Sequence, residues 1–513
     1  VSEAAAPATG VEIDGPRRAL ITLSVIAATI LQAIDNTIAN VALPRMQGSF
    51  SATQDQMAWV LTSYIIAAAI MTPLSGWLAG RVGRKRVFLV SIAGFTIASM
   101  LCGLAQSLPQ IVLARLLQGV SGAALVPLSQ AVLLDINPPA RQPRAMSVWA
   151  MSISLGPIMG PALGGWLTDN YNWRWVFFIN VPFGILAFLV MLSSLPETAI
   201  RKSRFDFFGF TALSAGVGAF QLMLDRGELK DWFSSTEIWI EAAIALVASY
   251  LFIVHMLTAT EQRFVSPELF KDRNFVTGNV FIFVIGVVMF ATLALLPPML
   301  QDLMNYPVLT TGLVTAPRGI GTLVAMLVAP RLMSKFDPRL IIGIGFALTA
   351  TSAWQMTGFE LQMGTSTVAW SGIAQGLGIG FVYLPVAAMT FTTLRPALRN
   401  EGTAIFSLLR NLGSSIGISM VVTLLTRNTQ VAHASLAGHV SAYNRALQAI
   451  TGASPTTQRA LTTLNGMVTQ QAAMIAYIDD FKLLMVLCLA TIPLVLLMRK
   501  GANATSTAPV AVE

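Results

Sequence analysis

An all-α integral membrane protein is the fold class this sequence predicts, and three observations predict it. Of 513 residues, 55% are hydrophobic and only 11% charged, whereas a soluble domain carries about 25% charged residues. Apolar runs near the roughly 20 residues that cross a bilayer as a helix recur along the chain, and the mean hydropathy is strongly positive. Lys and Arg cluster at alternate turns between those runs, the pattern of basic loops retained on the cytoplasmic side.

Taken in order, the first six spans are expected at 19–43, 57–79, 87–105, 110–133, 145–167 and 175–195. Charged residues flank most of these apolar runs. Arg17 and Arg18 precede the first and Arg45 follows it; Arg81, Arg84, Lys85 and Arg86 follow the second; Arg141 and Arg144 follow the fourth; Arg174 follows the fifth; Arg201, Lys202 and Arg204 follow the sixth. Eight more are expected at 207–224, 237–257, 275–296, 311–332, 340–358, 368–391, 403–425 and 481–498, about fourteen in all. With the N-terminus inside, the turns after even-numbered spans hold most of the basic residues, so both termini are expected to be cytoplasmic. This bias accounts for the net charge of +8 without nucleic acid as a partner.

The first 18 residues are polar and lack a basic start, and the span that follows exceeds the apolar core of a signal peptide, so no cleavage is expected. Cys102 and Cys488 both fall inside spans, where packing rather than a disulfide is expected. His255, His433 and His439 share no ligand spacing, so no metal site is expected. No phosphate-binding G-x-x-x-x-G-K-[ST] occurs, so no cofactor is expected and the energy source is expected to be an ion gradient.

A repeat organises the spans. QGVSGAALVPL from Gln118 in span four is matched by QGLGIGFVYLP from Gln375 in span twelve; RVGRKR after span two is matched by RLMSKFDPR after span ten. Gly160 and Gly164 in span five are matched by Gly413 and Gly417 in span thirteen. All three pairs lie eight spans apart, which two six-helix bundles separated by two inserted helices would produce. The expected domains are a cytoplasmic tail (1–18), an N-terminal six-helix bundle (19–195), two inserted helices (196–257), a C-terminal six-helix bundle (258–498) containing an outer loop (427–479), and a cytoplasmic tail (499–513). A duplicated bundle is the architecture of secondary transporters, with the site between the halves.

Several residues carry candidate chemistry. In LQAIDNTIANVALP, 31–44, Asp35 sits within a run otherwise suited to lipid. It lies about 12 Å below the outer end of its helix, and Arg115 lies about 8 Å below the outer end of span four. A charge in the bilayer core costs about 2.5–3.5 kcal/mol on insertion scales, so such residues pair and face a cavity. Asp35 and Arg115 are therefore the candidate pair for proton coupling, the alternative being a static ion pair. Gly156, Gly160 and Gly164 recur every fourth residue, with Pro157, Pro161 and Gly165 among them. They present a smooth face for close helix approach, with Pro bending the rod, and suit either a sliding seal or tight packing. Gly76 and Gly83 permit close approach and a tight turn, and Arg84 and Lys85 serve as a cytoplasmic gate or as topology signals. Gln32, Tyr64 and Trp149 are expected to line the substrate cavity, with Arg318 and Arg410 there or capping carbonyls. No acid of comparable depth is expected in the second half, and Asp225 and Glu241 are expected at the interface.

These stretches resemble a known family. GWLAGRVGRKR, 76–86, is similar to the signature between spans two and three of the major facilitator superfamily, and RLLQGVSGAA, 115–124, to its span-four motif. GPIMGPALGG, 156–165, resembles the span-five motif of its antiporters, and LQAIDNTIANVALP the first-span motif of the fourteen-span drug:proton antiporters. NWRWVFFINVPFG, 172–184, and LDRGELKDWFSS, 224–235, narrow the resemblance to the EmrB/QacA type, on the EmrB side. The resemblance implies a proton-coupled multidrug efflux antiporter of the bacterial inner membrane. It would act on hydrophobic toxic compounds by alternating access, with a periplasmic adaptor protein and an outer-membrane channel as partners. A proton-coupled exporter of a specific metabolite or organic cation is the alternative. One departure stands out: the acid that commonly precedes the Arg at position 81 is here Gly80, so the cytoplasmic latch is expected to be weaker or built otherwise. The outer segment 427–477 is expected to contain an amphipathic helix from Thr456 that docks the adaptor or folds back on the transporter.

Overall fold

The computed structural model describes residues 15–138, 141–198, 200, 205–259, 263–395, 398–439 and 458–499. Of the expected tails, residues 1–14 and 500–513 lie outside them, as do 440–457 of the outer segment, while 15–18 already belong to the first helix. The described residues are helical and contain no strand. The first group comprises α1 (Gly15–Phe50), α2 (Gln54–Val82), α3 (Arg84–Leu104), α4 (Leu108–Gly122), α5 (Leu125–Ile136), α6 (Gln142–Asn170), α7 (Trp175–Phe178) and α8 (Asn180–Ser194). Then come α9 (Phe207–Arg226) and α10 (Thr236–Thr258). The second group comprises α11 (Glu268–Lys271), α12 (Arg273–Pro298), α13 (Val308–Lys335), α14 (Pro338–Met356), α15 (Thr365–Thr392), α16 (Arg399–Ala437) and α17 (Gln458–Thr491).

Among the described residues, twelve helical stretches are long and apolar enough to cross a membrane, counting α4 with α5 and α7 with α8 as one each. The helices at the fifth and eleventh expected spans, α6 and α14, have 29 and 19 residues. Neither is counted among the twelve.

Local chemistry explains where helices begin. Thr53 and Gln56 form a capping box at α2, and Asp206, Asp272 and Asp337 each accept a backbone N–H in the first turn of α9, α12 and α14, satisfying donors that a helix start leaves open. The tight turn expected in RVGRKR is made by Gly83, whose φ of 101° lies in the region that favours glycine.

The neighbour relations of the first group recur in the second: α1 packs on α6 as α12 packs on α16, α2 on α4 as α13 on α15, and α3 on α4 as α14 on α15. The glycines explain the first of these pairs. A Cβ at Gly156 would come within 2.7 Å of the Ala33 Cβ and one at Gly164 within 2.9 Å of Ile38 Cγ1, both on α1. A Cβ at Gly417 would lie 2.7 Å from the Val287 Cα on α12.

Two expectations need correcting. The fourth span is broken at Ala123 and Ala124 into α4 and α5, because Pro127 has no N–H to donate to residue 123 and the small Gly–Ala run tolerates a turn. The amphipathic segment is helical from Gln458, as expected, but it is not set apart from the last span. It enters the last span without interruption as α17, and α16 runs on to Ala437, well beyond Leu425. His433 on α16 and Asn465 on α17 are joined by a 3.1 Å hydrogen bond between Nε2 and Oδ1, so the two overhangs form a hairpin. Asp225, beside the last residue of α9, accepts from Gln221 one turn earlier, and Glu241, in the second turn of α10, is buried.

Candidate functional site

Five helices deliver a polar cluster into the first group. Asp35 of α1 and Arg115 of α4 form an ion pair at 2.6 Å, with 0% and 1% of their side chains exposed. Arg115 Nη1 also donates to Gln118 Oε1 at 2.8 Å, and its Nε donates to the Val60 carbonyl of α2 at 3.1 Å. The second carboxylate oxygen of Asp35 accepts from Gln118 Nε2 at 2.8 Å and from Asn180 Nδ2 of α8 at 2.9 Å. Asn180 donates as well to Ser99 Oγ of α3, which donates to the Phe177 carbonyl. The Tyr64 ring lies 4.3 Å from the Arg115 guanidinium carbon, covering it with a π face that favours a cation. Both charges are therefore paired and hydrogen-bonded, the condition for burying them.

The depths worked from helix rise bring Asp35 and Arg115 together, as expected. Gln118 and Asn180 stand inside the quoted motifs but were not singled out. Their signal was available: Gln118 is one turn from Arg115, on the same face of its helix.

The repeat exposes a difference between the groups. Gln375 of α15, the counterpart of Gln118, donates to Thr292 Oγ1 of α12 at 2.9 Å. A Cβ at Gly119 would crowd the backbone of Tyr64, and one at Gly376 would crowd that of Arg318. Thr292 thus stands where the first group has Asp35, and Arg318 where it has Tyr64. Arg318 donates to the Met289 carbonyl at 2.9 Å, the carbonyl-capping alternative. The second group does hold a buried acid. Asp480 of α17 is 1% exposed, and neither carboxylate oxygen has a hydrogen-bond partner among the described residues.

The remaining cavity candidates separate into two places. Gln32 lies beside the Tyr64 hydroxyl and so belongs to the Asp35 cluster. Trp149 of α6 faces Tyr383 of α15 with ring centroids 6.2 Å apart, and Arg410 Nη1 of α16 donates to the Tyr383 hydroxyl at 3.1 Å. Tyr383, a residue the sequence reading passed over, therefore joins Trp149 and Arg410 across the two groups. The Gln32 carbonyl, the Tyr64 hydroxyl and the Trp149 indole N–H are buried with no hydrogen-bond partner among the described residues, leaving polar atoms free in the interior.

At one end the groups are locked together by charge. Arg84 Nη1 binds Asp135 Oδ2 at 2.6 Å, Arg84 Nη2 donates to Asn400 Oδ1 at 2.7 Å, and Arg399 Nη1 binds Asp135 Oδ1 at 2.8 Å. A Cβ at Gly76 would lie 2.9 Å from the Asn400 carbonyl oxygen, so the glycine admits the start of α16. Gly80 is not at this contact, since a Cβ there meets nothing within 4 Å; Asp135 supplies the acid instead. Lys85 takes no part and has no ion-pair partner among the described residues, whereas Arg86 pairs with Glu197. Ser147 of α6 also donates to the Met326 carbonyl of α13.

On the α1–α6 face, the Thr37 hydroxyl donates to the Gly156 carbonyl at 2.9 Å, and a Cβ at Gly160 would sit 2.9 Å from Thr37 Cβ. Gly165 faces away, with nothing within 4 Å of a Cβ. The helix passes through Pro157 and Pro161 as one continuous element. Both cysteines are free and buried. His255 binds Asp206 at 2.9 Å, and no His, Cys, Asp or Glu group able to hold a metal occurs among the described residues.

The family model for the Major Facilitator Superfamily matches residues 25–418. The chain is 36% identical over 476 residues to the multidrug export protein EmrB of Escherichia coli (strain K12), covering 91% of this chain and 93% of that one. It is 36% identical over 494 residues to the fatty acid resistance protein FarB of Neisseria gonorrhoeae, covering 95% and 97%. Among solved structures, the human organic anion transporter MFSD10 (TETRAN) superposes with a TM-score of 0.59 at 13% identity, covering 93% of this chain and 100% of that one, a likeness of fold.

Proposed function

This chain belongs to the Major Facilitator Superfamily, and from that premise we propose that it is a proton-coupled antiporter exporting hydrophobic toxic compounds by alternating access. It is an EmrB-like multidrug efflux transporter of the bacterial inner membrane rather than an enzyme. The proton-coupled mechanism, the count of fourteen spans with both termini cytoplasmic, and the division into two six-helix bundles around an inserted pair are our reading. The recurring neighbour pattern supports that division.

The observation that carries the coupling is the buried Asp35 cluster. Asp35 accepts from Arg115, Gln118 and Asn180, all N–H donors. A proton on Oδ1, which accepts from both Gln118 and Asn180, would set an O–H against one of them, and a proton on either oxygen would remove the charge that Arg115 pairs with. Proton uptake and rearrangement of α1, α4 and α8 would then be one event, so a proton entering from outside would be converted into helix movement. The α1–α6 glycine face would be the surface along which α1 moves, and its tight fit would keep protons from leaking past. The Asp135 latch, closing the end at Arg84 and Arg399, would hold the cavity shut on the cytoplasmic side while it is open outward. Gln32, Tyr64, Trp149, Arg318 and Arg410 would meet the drug in that cavity. A periplasmic adaptor and an outer-membrane channel would carry it onward.

Proteoliposomes with an imposed pH gradient and a panel of acidic, neutral and cationic compounds test this reading. Export that follows the pH gradient and stops when the gradient is collapsed is expected. Export that is indifferent to it would overturn proton coupling.

A further inference from the structure

Coupling through Asp35 leaves the buried acid of the second group unused. Asp480 of α17 is 1% exposed, and both of its carboxylate oxygens are closed to solvent without a hydrogen-bond partner among the described residues. It shares a helix face with Gln470 and Tyr477. Gln470 Nε2 donates to the Leu303 carbonyl at 3.1 Å, so this face lies against the π-helical turn Met299–Leu303 that follows α12. Tyr477 stands within electrostatic reach of both Asp480 and Asp302 of that turn. Phe481 packs edge-on against Phe359, with ring centroids 5.8 Å apart, and α17 also packs on α14 and α16. The charged groups on these elements do not neutralise Asp480. Asp302, Glu360 and Arg427 are exposed, Asp479 pairs with Lys482, Arg410 is bonded to Tyr383 and His433 to Asn465. Arg273, Arg339, Arg399 and Glu401 lie in the first turns of α12, α14 and α16.

An ionised carboxylate without water or a partner is so costly that such a group is held as the uncharged acid. With neither oxygen open to solvent, a proton is the ligand that fits. We propose that Asp480 is a second proton-binding site, carried by the second group, and that its proton exchanges during the transport cycle. The inference rests on the proton-coupled reading above. Two features point to exchange rather than to a fixed proton. The uncharged acid still buries its polar atoms unbonded, a cost that no hydrogen bond of the fold offsets. Its cover is a π-helical turn, a local departure from the α-helix that recurs at functional sites, held to α17 at Gln470. Asp479 and Lys482, on neighbouring positions, are 43% and 55% exposed, so water already reaches this level of α17. A shift of the turn away from α17 would open Asp480 to that water. With both termini cytoplasmic it is water of the outer side, from which protons enter.

Infrared spectra of the full chain in lipid read the bound proton directly, with no gradient or transport required. A protonated-carboxyl band that Asp480→Asn removes and Asp479→Asn leaves is expected; a band untouched by Asp480→Asn would overturn the site. Exchange is read separately. In an antiporter, drug and proton oppose each other's binding, so drug added to weakly buffered, detergent-solubilised protein expels protons, which a pH-indicator dye counts. The probe is a compound without ionisable protons that is exported in the panel above. Asp480→Asn, whose amide matches the uncharged acid in shape, is expected to release about half as many protons as the wild type, and Asp480→Glu to keep release near the wild-type count. Undiminished release from Asp480→Asn would make the proton a fixed structural one and overturn exchange. Absence of release from the wild type itself would sink proton coupling, whereas the infrared band decides the site on its own.

Discussion

Asparagine at position 35 separates the charge of the buried side chain from its shape. An amide has one acceptor oxygen and a donating NH2, so at Asp35 it would turn a donor toward Arg115, Gln118 or Asn180 and leave the guanidinium without its counter-ion. Arg115 is 1% exposed and paired at 2.6 Å, and removing one partner of such a pair costs about 3–5 kcal/mol. Asp35→Asn is therefore expected to fold with a stability lowered by about that amount, and not merely to keep the shape. Adding Arg115→Gln removes the orphan charge, and the double variant is expected to recover at least about 2 kcal/mol relative to additivity. Unfolding in detergent measures the cycle, and gradient-driven export in proteoliposomes measures function in the same preparations. Stability is expected to return in the double variant while export stays absent from both single variants and the double. Additivity within about 0.5 kcal/mol would refute the energetic pairing, and wild-type export by Asp35→Asn would refute its role in coupling.

Three further outcomes are expected. Gly160→Leu should stop turnover while drug still binds, since even a Cβ there crowds Thr37; binding by fluorescence alongside transport separates the two, and normal turnover would leave only a packing role. Asp135→Asn should loosen the Arg84–Arg399 end, raising alkylation of a cysteine placed at Ser407 by about fivefold, the worth of two partly exposed ion pairs; the buried native thiols leave the new one as the reporter, and unchanged labelling would dismiss the latch. Replacing residues 433–469 with a short flexible linker should spare transport in proteoliposomes but abolish cellular drug resistance and co-purification of an adaptor; wild-type co-purification would place the contact on the spans.

Much of this architecture was legible because hydropathy and helix rise are one-dimensional quantities. Apolar length located the helices, and counting residues from their ends set Asp35 and Arg115 at one depth. Amides escaped that reasoning: Gln118 and Asn180 barely disturb an apolar run, and their importance arises only when α4 and α8 aim them at one carboxylate. Asp480 escaped for a different reason. It stands beside Asp479, which pairs with Lys482, and in sequence the three look like an exposed charged margin. The Asp135 latch was hidden because its partners, Arg84 and Arg399, lie in separate groups, and no periodicity connects them. The amphipathic helix was legible, but the continuity of α16 and α17 with their spans was not, since polar residues mark where lipid ends but not where a helix ends.

That hairpin has a mechanical consequence. From Ser414, partway along α16, to Ala437 is 23 residues, about 35 Å of continuous helix. If the second group rocks against the first, a rigid arm of that length sweeps its tip about 0.6 Å for each degree of rotation. The Gly413 and Gly417 contacts with α12 tie the inner part of the arm to the moving group, and the His433–Asn465 bond braces the overhang against bending. Small rotations around the drug would thus reach the far side of the membrane as displacements of several ångströms. Whatever touches the tip would be told mechanically which way the pump is facing.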